Sequence, residues 1–219
     1  MASRLAGWLA ARGLRDDPVV LCNKSHSGSR LLARLLDRAG LFLGAHRNES
    51  EDAWDLLPVV RYLVIRHYPD YRATAADALL PDLLEAALAR HLEGIAPGQP
   101  WGWKLSESGF ILPVLAALLP RLRVVHLIRD GRDVAFSDHT GPTDAFWRKV
   151  FFDRDDIATW RGLALTGPAY RRRPHLFNAR HWANAVAVTR RCGQTLGPRY
   201  RGMRCEALCA RPRESQVAN

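Results

Sequence analysis

The sequence lacks both the long apolar runs of a membrane protein and the cysteine density of a disulfide-stapled one. Its longest apolar run, 110–120, contains two prolines and is well short of the roughly 20 residues that span a bilayer. The four cysteines suggest no disulfide framework, and Cys205 and Cys209 lack a second ligand pair for a metal. We therefore expect a cytoplasmic protein with reduced thiols, no transmembrane segment and no metal.

Acidic side chains are scarce in the later part of the chain. The formal net charge is +10; residues 1–120 are balanced, so residues 121–219 carry the whole excess. This asymmetry favours a polyanionic ligand near the later half, and arginine-rich solvated helices would produce it equally well. The chain has no zinc finger, RNA-binding signature or basic strip interleaved with aromatics, so we expect no nucleic-acid partner.

Apolar periodicity indicates strands that alternate with helices. Short runs rich in β-branched residues predict strands at 18–22, 101–105, 123–128 and 200–204. Helical spacing predicts helices at 5–11, 30–39, 49–67 with a break at Pro58, 73–92 with a new start at Pro81, 110–119, from 134, 146–165 and 178–196. His126, inside a strand, is expected to be a hydrogen-bonded core histidine.

This alternation predicts an α/β fold with a mainly parallel sheet flanked by helices. No linker or repeat divides the chain, so we expect one domain spanning 1–219. The chain ends soon after Glu206, where a parallel sheet with its helical covering would ordinarily continue. That early end is consistent with a truncated C terminus.

A polar loop, 24–30, joins the first predicted strand to the first long helix. A strand that enters a helix through a Gly/Ser loop forms an anion site, because unpaired N–H groups and the helix dipole favour negative charge. The loop lacks the G-x-x-x-x-G-K-[ST] pattern that binds Mg-ATP. Its small residues are Ser27, Gly28 and Ser29, and its side-chain donors are Lys24, His26 and Arg30.

A second motif follows the predicted strand 123–128. Arg129 stands at the carboxyl end of that strand, and Ser137 stands in the next predicted helix. Open α/β sheets bind ligands at this end of their strands, and a guanidinium group binds a phosphate with two N–H donors. A hydroxyl can complete such a site. The alternative is a structural ion pair between Arg129 and Asp130 or Asp133.

These motifs resemble those of the sulfotransferase superfamily that uses 3′-phosphoadenosine 5′-phosphosulfate (PAPS). The family loop P-K/R-S-G-T-T is similar to 26–30, and the family segment R-[DN]-x-[RK]-D-V-A-x-S is matched throughout 129–137. Segment 101–104 resembles the W-G-x-K of bacterial members, and 199–208 resembles R-Y-x-x-x-R-Y-E-D-L. The resemblance spans most of 18–214 and implies a P-loop NTPase-like sulfotransferase fold.

The resemblance also implies roles for individual residues. Lys104 would lie near the transferred sulfuryl group, and PAPS would be a co-substrate that needs no metal. His26 replaces the loop lysine or arginine of the family, so either His26 acts protonated, Lys24 takes its place, or activity is weak. The remaining donor contacts would be Ser27, Gly28, Ser29 and Arg30 to the 5′-phosphosulfate, and Arg129 and Ser137 to the 3′-phosphate.

An acidic segment, 48–52, lies where some family members carry a catalytic glutamate. Glu49 is the first candidate for the general base and Glu51 the second. The alternative is that Asn48 or Ser50 caps a helix whose first turn is acidic. Ser106 stands in place of the histidine of the cytosolic branch, which argues against small phenols and steroids as acceptors.

The motifs therefore predict an enzyme, a PAPS-dependent sulfotransferase whose acceptor is a hydroxyl on a carbohydrate or other small molecule. One alternative is a P-loop kinase, which should carry Gly-Lys-Ser/Thr and an acidic metal ligand. Another is a degenerate or truncated member that binds a nucleotide without catalysis. His26 and the early C terminus favour that second alternative.

Overall fold

The computed structural model describes residues 2–137 and 174–210. Within them, one all-parallel sheet has the strand order β2-β1-β3-β4. Its strands are β1 Val19–Asn23, β2 Gly102–Lys104, β3 Arg123–Ile128 and β4 Tyr200–Arg204. The predicted α/β fold, a mainly parallel sheet flanked by helices, is confirmed, and each predicted strand is present. The predicted helix 146–165 lies outside the described residues.

Eight α-helices and three short 3₁₀ turns accompany the strands in the described residues. No described helix is long and apolar enough to cross a bilayer. The 3₁₀ turns are Arg72–Ala76, Ser106–Phe110 and Gly197–Arg199. The helices are α1 Ala2–Ala10, α2 Ser29–Arg38, α3 Leu57–His67, α4 Leu80–His91, α5 Leu112–Leu118, α6 Gly131–Ala135, α7 Pro174–Gln194 and α8 Cys205–Ala210.

Prolines determine where three of the helices begin. Pro58, Pro81 and Pro113 lie in the first turns of α3, α4 and α5, where an N–H group has no intrahelical acceptor to lose. The new start at Pro81 is confirmed. The prediction of a helix from residue 49 is wrong, because α3 begins only at Leu57. Pro58 lies in the first turn of that helix and does not break it.

Both faces of the central strand β1 are buried. Along β1, Val20 and Cys22 pack into a large apolar cluster with α1, α3, α4, α5 and α7. Leu21 points to the opposite face and packs into a smaller cluster with Leu32 of α2 and Leu208 of α8. Successive side chains of a strand alternate between faces, and a sheet buried on both sides needs continuous apolar strands. This explains the unbroken apolar runs of the sequence.

Parallel pairing brings the carboxyl ends of the strands to one edge of the sheet. Leu21 is paired with Lys104, and Asn23 at the end of β1 is paired with Leu127 near the end of β3. Residues that follow β1, β2 and β3 therefore meet at that edge. The loop 24–30, Lys104 and Arg129 all lie there.

Two buried histidines form hydrogen bonds with residues of the strands. His91 of α4 donates from Nε2 to the carbonyl oxygen of Gly102 at 2.9 Å. His126 of β3 places Nδ1 at 2.8 Å from the hydroxyl of Tyr200, which confirms it as a hydrogen-bonded core histidine. Burial lowers the pKa of each to about 4. Both side chains are therefore neutral in the folded protein at pH 7.

We predict that the free energy of unfolding falls as the pH is lowered from 7 towards 4. Each histidine has a pKa near 6.5 when unfolded and about 4 when folded, so the unfolded state binds more protons in this window. The contribution of these histidines to the free energy of unfolding is fully present above pH 6.5. Below that pH, each histidine lowers the free energy of unfolding by up to about 1.4 kcal/mol per pH unit. Urea unfolding at several pH values measures the slope, which should be smaller in His126→Gln. An equal slope in that variant would contradict the assignment.

Candidate active site

A cavity of about 350 Å³ opens at the carboxyl edge of the sheet, where β1 passes into α2. It brings together the loop after β1, the end of β2, the turn after β3 and the acidic segment 48–52. Its lining is Asn23, Ser25, His26, Gly28, Ser29, Arg30, Ser50, Asp52, Lys104, Ser106 and Arg129. Of the residues predicted for the site, five are not part of this lining: Lys24, Ser27, Glu49, Glu51 and Ser137.

The loop has the shape of an anion-binding turn. His26 and Gly28 both adopt left-handed backbone conformations, with φ of 68° and 80°. Gly28 immediately precedes α2, and a Cβ atom at this position would lie only 2.7 Å from Sγ of Cys205. Glycine is therefore required by its φ angle and by the close approach of α8. The first turn of α2 borders the cavity, and its unpaired N–H groups favour an anion there.

Buried polar side chains hold the loop in this shape. Ser27 is 1% exposed, and its hydroxyl donates to the carbonyl oxygen of Lys24 at 2.5 Å. Nδ2 of Asn23 donates to the same oxygen at 2.8 Å. Lys24 is itself buried, whereas His26 borders the cavity. Of the two candidates for the loop cation, His26 is the one that the fold brings to the cavity.

Arg129 joins the end of β3 to the loop. Its Nη1 donates to the carbonyl oxygen of His26 at 3.0 Å, and its Nε and Nη2 each lie 3.2 Å from Oδ2 of Asp133. The ion pair considered as an alternative is therefore present, yet Arg129 still lines the cavity. The hydroxyl of Ser137 donates to the carbonyl oxygen of Val134 at 2.7 Å.

Lys104 and Asp52 form an ion pair within the cavity. Nζ of Lys104 donates to Oδ1 of Asp52 at 2.7 Å and to the carbonyl oxygen of Ser50 at 2.8 Å. The Lys104 side chain is only 5% exposed, so its charge is poorly hydrated and depends on these acceptors. The pair places a group that can take a proton beside a cation that can stabilise a departing anion.

The carboxylate that reaches the cavity is neither of the two glutamates proposed as the base. Glu49 is exposed and Glu51 is bound by Arg34 at 2.9 Å and Arg47 at 3.1 Å. Asp52 lines the cavity instead. The capping alternative is also wrong, because α3 begins only at Leu57. Three acids stand within four positions here, and only the path of the turn selects one of them.

The described residues contain no group of three His, Cys, Asp or Glu side chains placed to hold a metal ion. The cavity instead combines several cationic side chains with one carboxylate at its edge. Such a set can bind an anionic ligand, stabilise a leaving group that gains negative charge, and accept a proton.

Comparison with known proteins identifies the fold. No protein-family model and no curated protein matches the sequence. A solved sulfotransferase domain from the curacin biosynthetic pathway has a TM-score of 0.53 at 20% identity, covering 92% of this chain and 72% of that one. A sulfotransferase from Alicyclobacillus acidocaldarius has a TM-score of 0.53 at 16% identity, covering 91% of this chain and 77% of that one. At such identities the likeness concerns the fold, and this chain has a sulfotransferase-type fold.

Proposed function

We propose that the protein is a sulfotransferase that moves a sulfuryl group from PAPS to a hydroxyl of a carbohydrate or other small molecule. One observation carries the proposal: the anion-binding loop, Arg129 and the Lys104–Asp52 pair border the same cavity. The sulfotransferase-type fold supports it. A phosphate-binding loop alone would serve many nucleotide enzymes, whereas a lysine–carboxylate pair beside it suits transfer to a hydroxyl.

The donor would bind across the carboxyl edge of the sheet. The backbone of Ser27, Gly28 and Ser29, with the side chain of Arg30, would hold the 5′-phosphosulfate. Arg129 would take the 3′-phosphate through guanidinium N–H groups beyond those bound to Asp133 and His26. Ser137 would join it once its hydroxyl turns from the carbonyl oxygen of Val134.

The reaction then needs one proton acceptor and one mobile cation. The acceptor oxygen attacks sulfur while the bond between sulfur and the 5′-phosphate oxygen breaks, which yields a sulfate ester and 3′-phosphoadenosine 5′-phosphate (PAP). Asp52 takes the proton of the attacking hydroxyl. Lys104 moves from Asp52 to the departing phosphate oxygen, which stabilises the negative charge that develops there and frees Oδ1 of Asp52.

We expect the purified protein to bind PAP and not ATP. After its glycine the loop has Ser29-Arg30 and not the Lys-Ser/Thr that holds Mg-ATP, whereas the site offers cations for two separate phosphates. Isothermal titration calorimetry with each nucleotide, with and without Mg²⁺, measures both affinities. Preference for Mg-ATP would favour a kinase. Failure to bind either nucleotide would favour a protein that keeps the fold without the activity.

Replacing Arg129 with alanine should weaken PAP binding by roughly 2 to 4 kcal/mol, because a charge-assisted phosphate contact is lost. Arg132→Ala is the matched control, since Arg132 is 87% exposed and pairs with Asp130. An exposed ion pair contributes little, so the Kd of this variant should stay within about twofold of wild type. Equal affinities of both variants would remove Arg129 from the donor site.

Asp52→Asn should lower kcat for sulfuryl transfer by about 10²- to 10⁴-fold, the usual effect of losing a general base. Its affinity for PAP should not fall, because the loop and Arg129 are untouched and Lys104, no longer bound by a carboxylate, can still bind the phosphate. Glu49→Gln is the comparison, and its exposed side chain should make its kcat close to that of wild type. The opposite pattern, with Glu49→Gln inactive and Asp52→Asn active, would restore Glu49 as the base. Initial rates at saturating donor distinguish the two.

A further inference from the structure

The turn that carries Asp52 is organised by one side chain. Oδ1 of Asn48 accepts hydrogen bonds from the backbone N–H groups of Ser50 and Asp52, each at 2.9 Å. The backbone N–H of Asn48 donates to the carbonyl oxygen of Asp52 at 3.1 Å. Nδ2 of Asn48 lies 3.4 Å from Oδ2 of Asp52. Asn48 thus contacts the amide, the carbonyl and the carboxylate of the same residue.

We infer that Asn48 is a positioning residue that holds the Asp52 carboxylate in the orientation needed to take the acceptor's proton, an inference that rests on the proposed function. The two carboxylate oxygens have different partners: Oδ1 accepts from Lys104 at 2.7 Å, and Oδ2 faces the amide of Asn48. When Lys104 turns to the donor, the amide contact stays. Oδ1 is then already oriented towards the acceptor hydroxyl, so no side-chain rotation of Asp52 is needed before proton transfer.

The backbone of the turn supports this interpretation. Glu51 adopts a left-handed conformation with φ of 64°, which is unfavourable for a residue with a side chain. Its N–H donates to the carbonyl oxygen of Asn48 at 2.9 Å. Its carboxylate is held by Arg34 of α2 and by Arg47. Strained backbone of this kind persists where surrounding contacts over-determine it, which is common at functional sites.

The charged surroundings of Asp52 show why an amide at position 48 matters. Lys104 attracts the Asp52 carboxylate at 2.7 Å, whereas buried Glu107, which follows β2, repels it. An amide adds a donor without adding charge. An aspartate at 48 could still accept both backbone N–H groups, but it would remove that donor and add a second negative charge. The other charged or titratable side chains that line the cavity with Asp52 and Lys104 are His26, Arg30 and Arg129.

Asn48→Asp is therefore the decisive variant. We expect its kcat to fall at least about tenfold at neutral pH, since the base is misplaced. The acidic limb of its kcat/KM profile should move up by about one pH unit, because a nearby carboxylate disfavours ionisation of Asp52. Its Kd for PAP should stay within about twofold of wild type, because no donor contact changes. An unmoved acidic limb would overturn the inference.

A double-mutant cycle separates positioning from general damage. If Asn48 acts through Asp52, Asn48→Ala should lower kcat in the wild-type background and have no further effect in Asp52→Asn. An equal decrease in both backgrounds would show a purely structural role. Should Asn48→Ala fail to fold, the Asp variant, which keeps both turn hydrogen bonds, still provides the test.

The positioning role of Asn48 can be tested separately from the proposed function. Carboxyl-carbon NMR follows the titration of Asp52 without any need for turnover. A higher pKa of Asp52 in Asn48→Asp than in wild type supports the positioning contact, and an equal pKa contradicts it. Absence of PAP binding and of sulfuryl transfer in the wild-type protein would instead overturn the sulfotransferase assignment.

Discussion

The parallel register of β1 with its two neighbours is the constraint on which the candidate site depends. Leu21 is paired with Lys104, and Asn23 with Leu127, so three chain segments leave the sheet at one edge. Both faces of β1 are buried in apolar clusters, and a shift of one residue would turn every side chain to the wrong face. The packing that stabilises the fold therefore also sets the positions of the loop, Lys104 and the turn that begins with Arg129.

Contacts between segments that are distant in the sequence also fix the position of the loop after β1. Arg129 donates to the backbone of His26, more than a hundred positions earlier in the chain. Glu206 of α8 accepts from the backbone N–H of Asp130 at 2.7 Å. The thiol of Cys205 lies only 2.7 Å from the position that a Cβ atom on Gly28 would take. Residues that follow β3 and β4 thus contact the loop. The shape of the loop therefore depends on several chain segments that meet at this edge of the sheet.

Features of the fold and site that depend on neighbouring residues in the sequence could be predicted, whereas features that depend on the path of the folded chain could not. The central strands β1 and β3 were predictable because burial leaves nearly continuous apolar runs. The loop and Arg129 were predictable because they belong to contiguous motifs. The helix from 49 was wrongly predicted because Pro58 suits the first turn of a helix as well as a break within one. Asp52 could not be chosen over Glu49 and Glu51, because that choice depends on a left-handed residue, Glu51, in a non-helical turn.

The Lys104–Asp52 pair imposes an order on the proposed reaction. The oxygen of Asp52 that accepts a hydrogen bond from the ammonium group of Lys104 at 2.7 Å is occupied, so it cannot at the same time take the proton of a hydroxyl. An anionic donor competes with Asp52 for the same ammonium group, so donor binding is what would activate the base. Before the donor arrives, Lys104 remains neutralised in a buried position, which avoids the cost of an isolated charge. In this scheme the acceptor hydroxyl meets a competent base only after the group it must attack is in place.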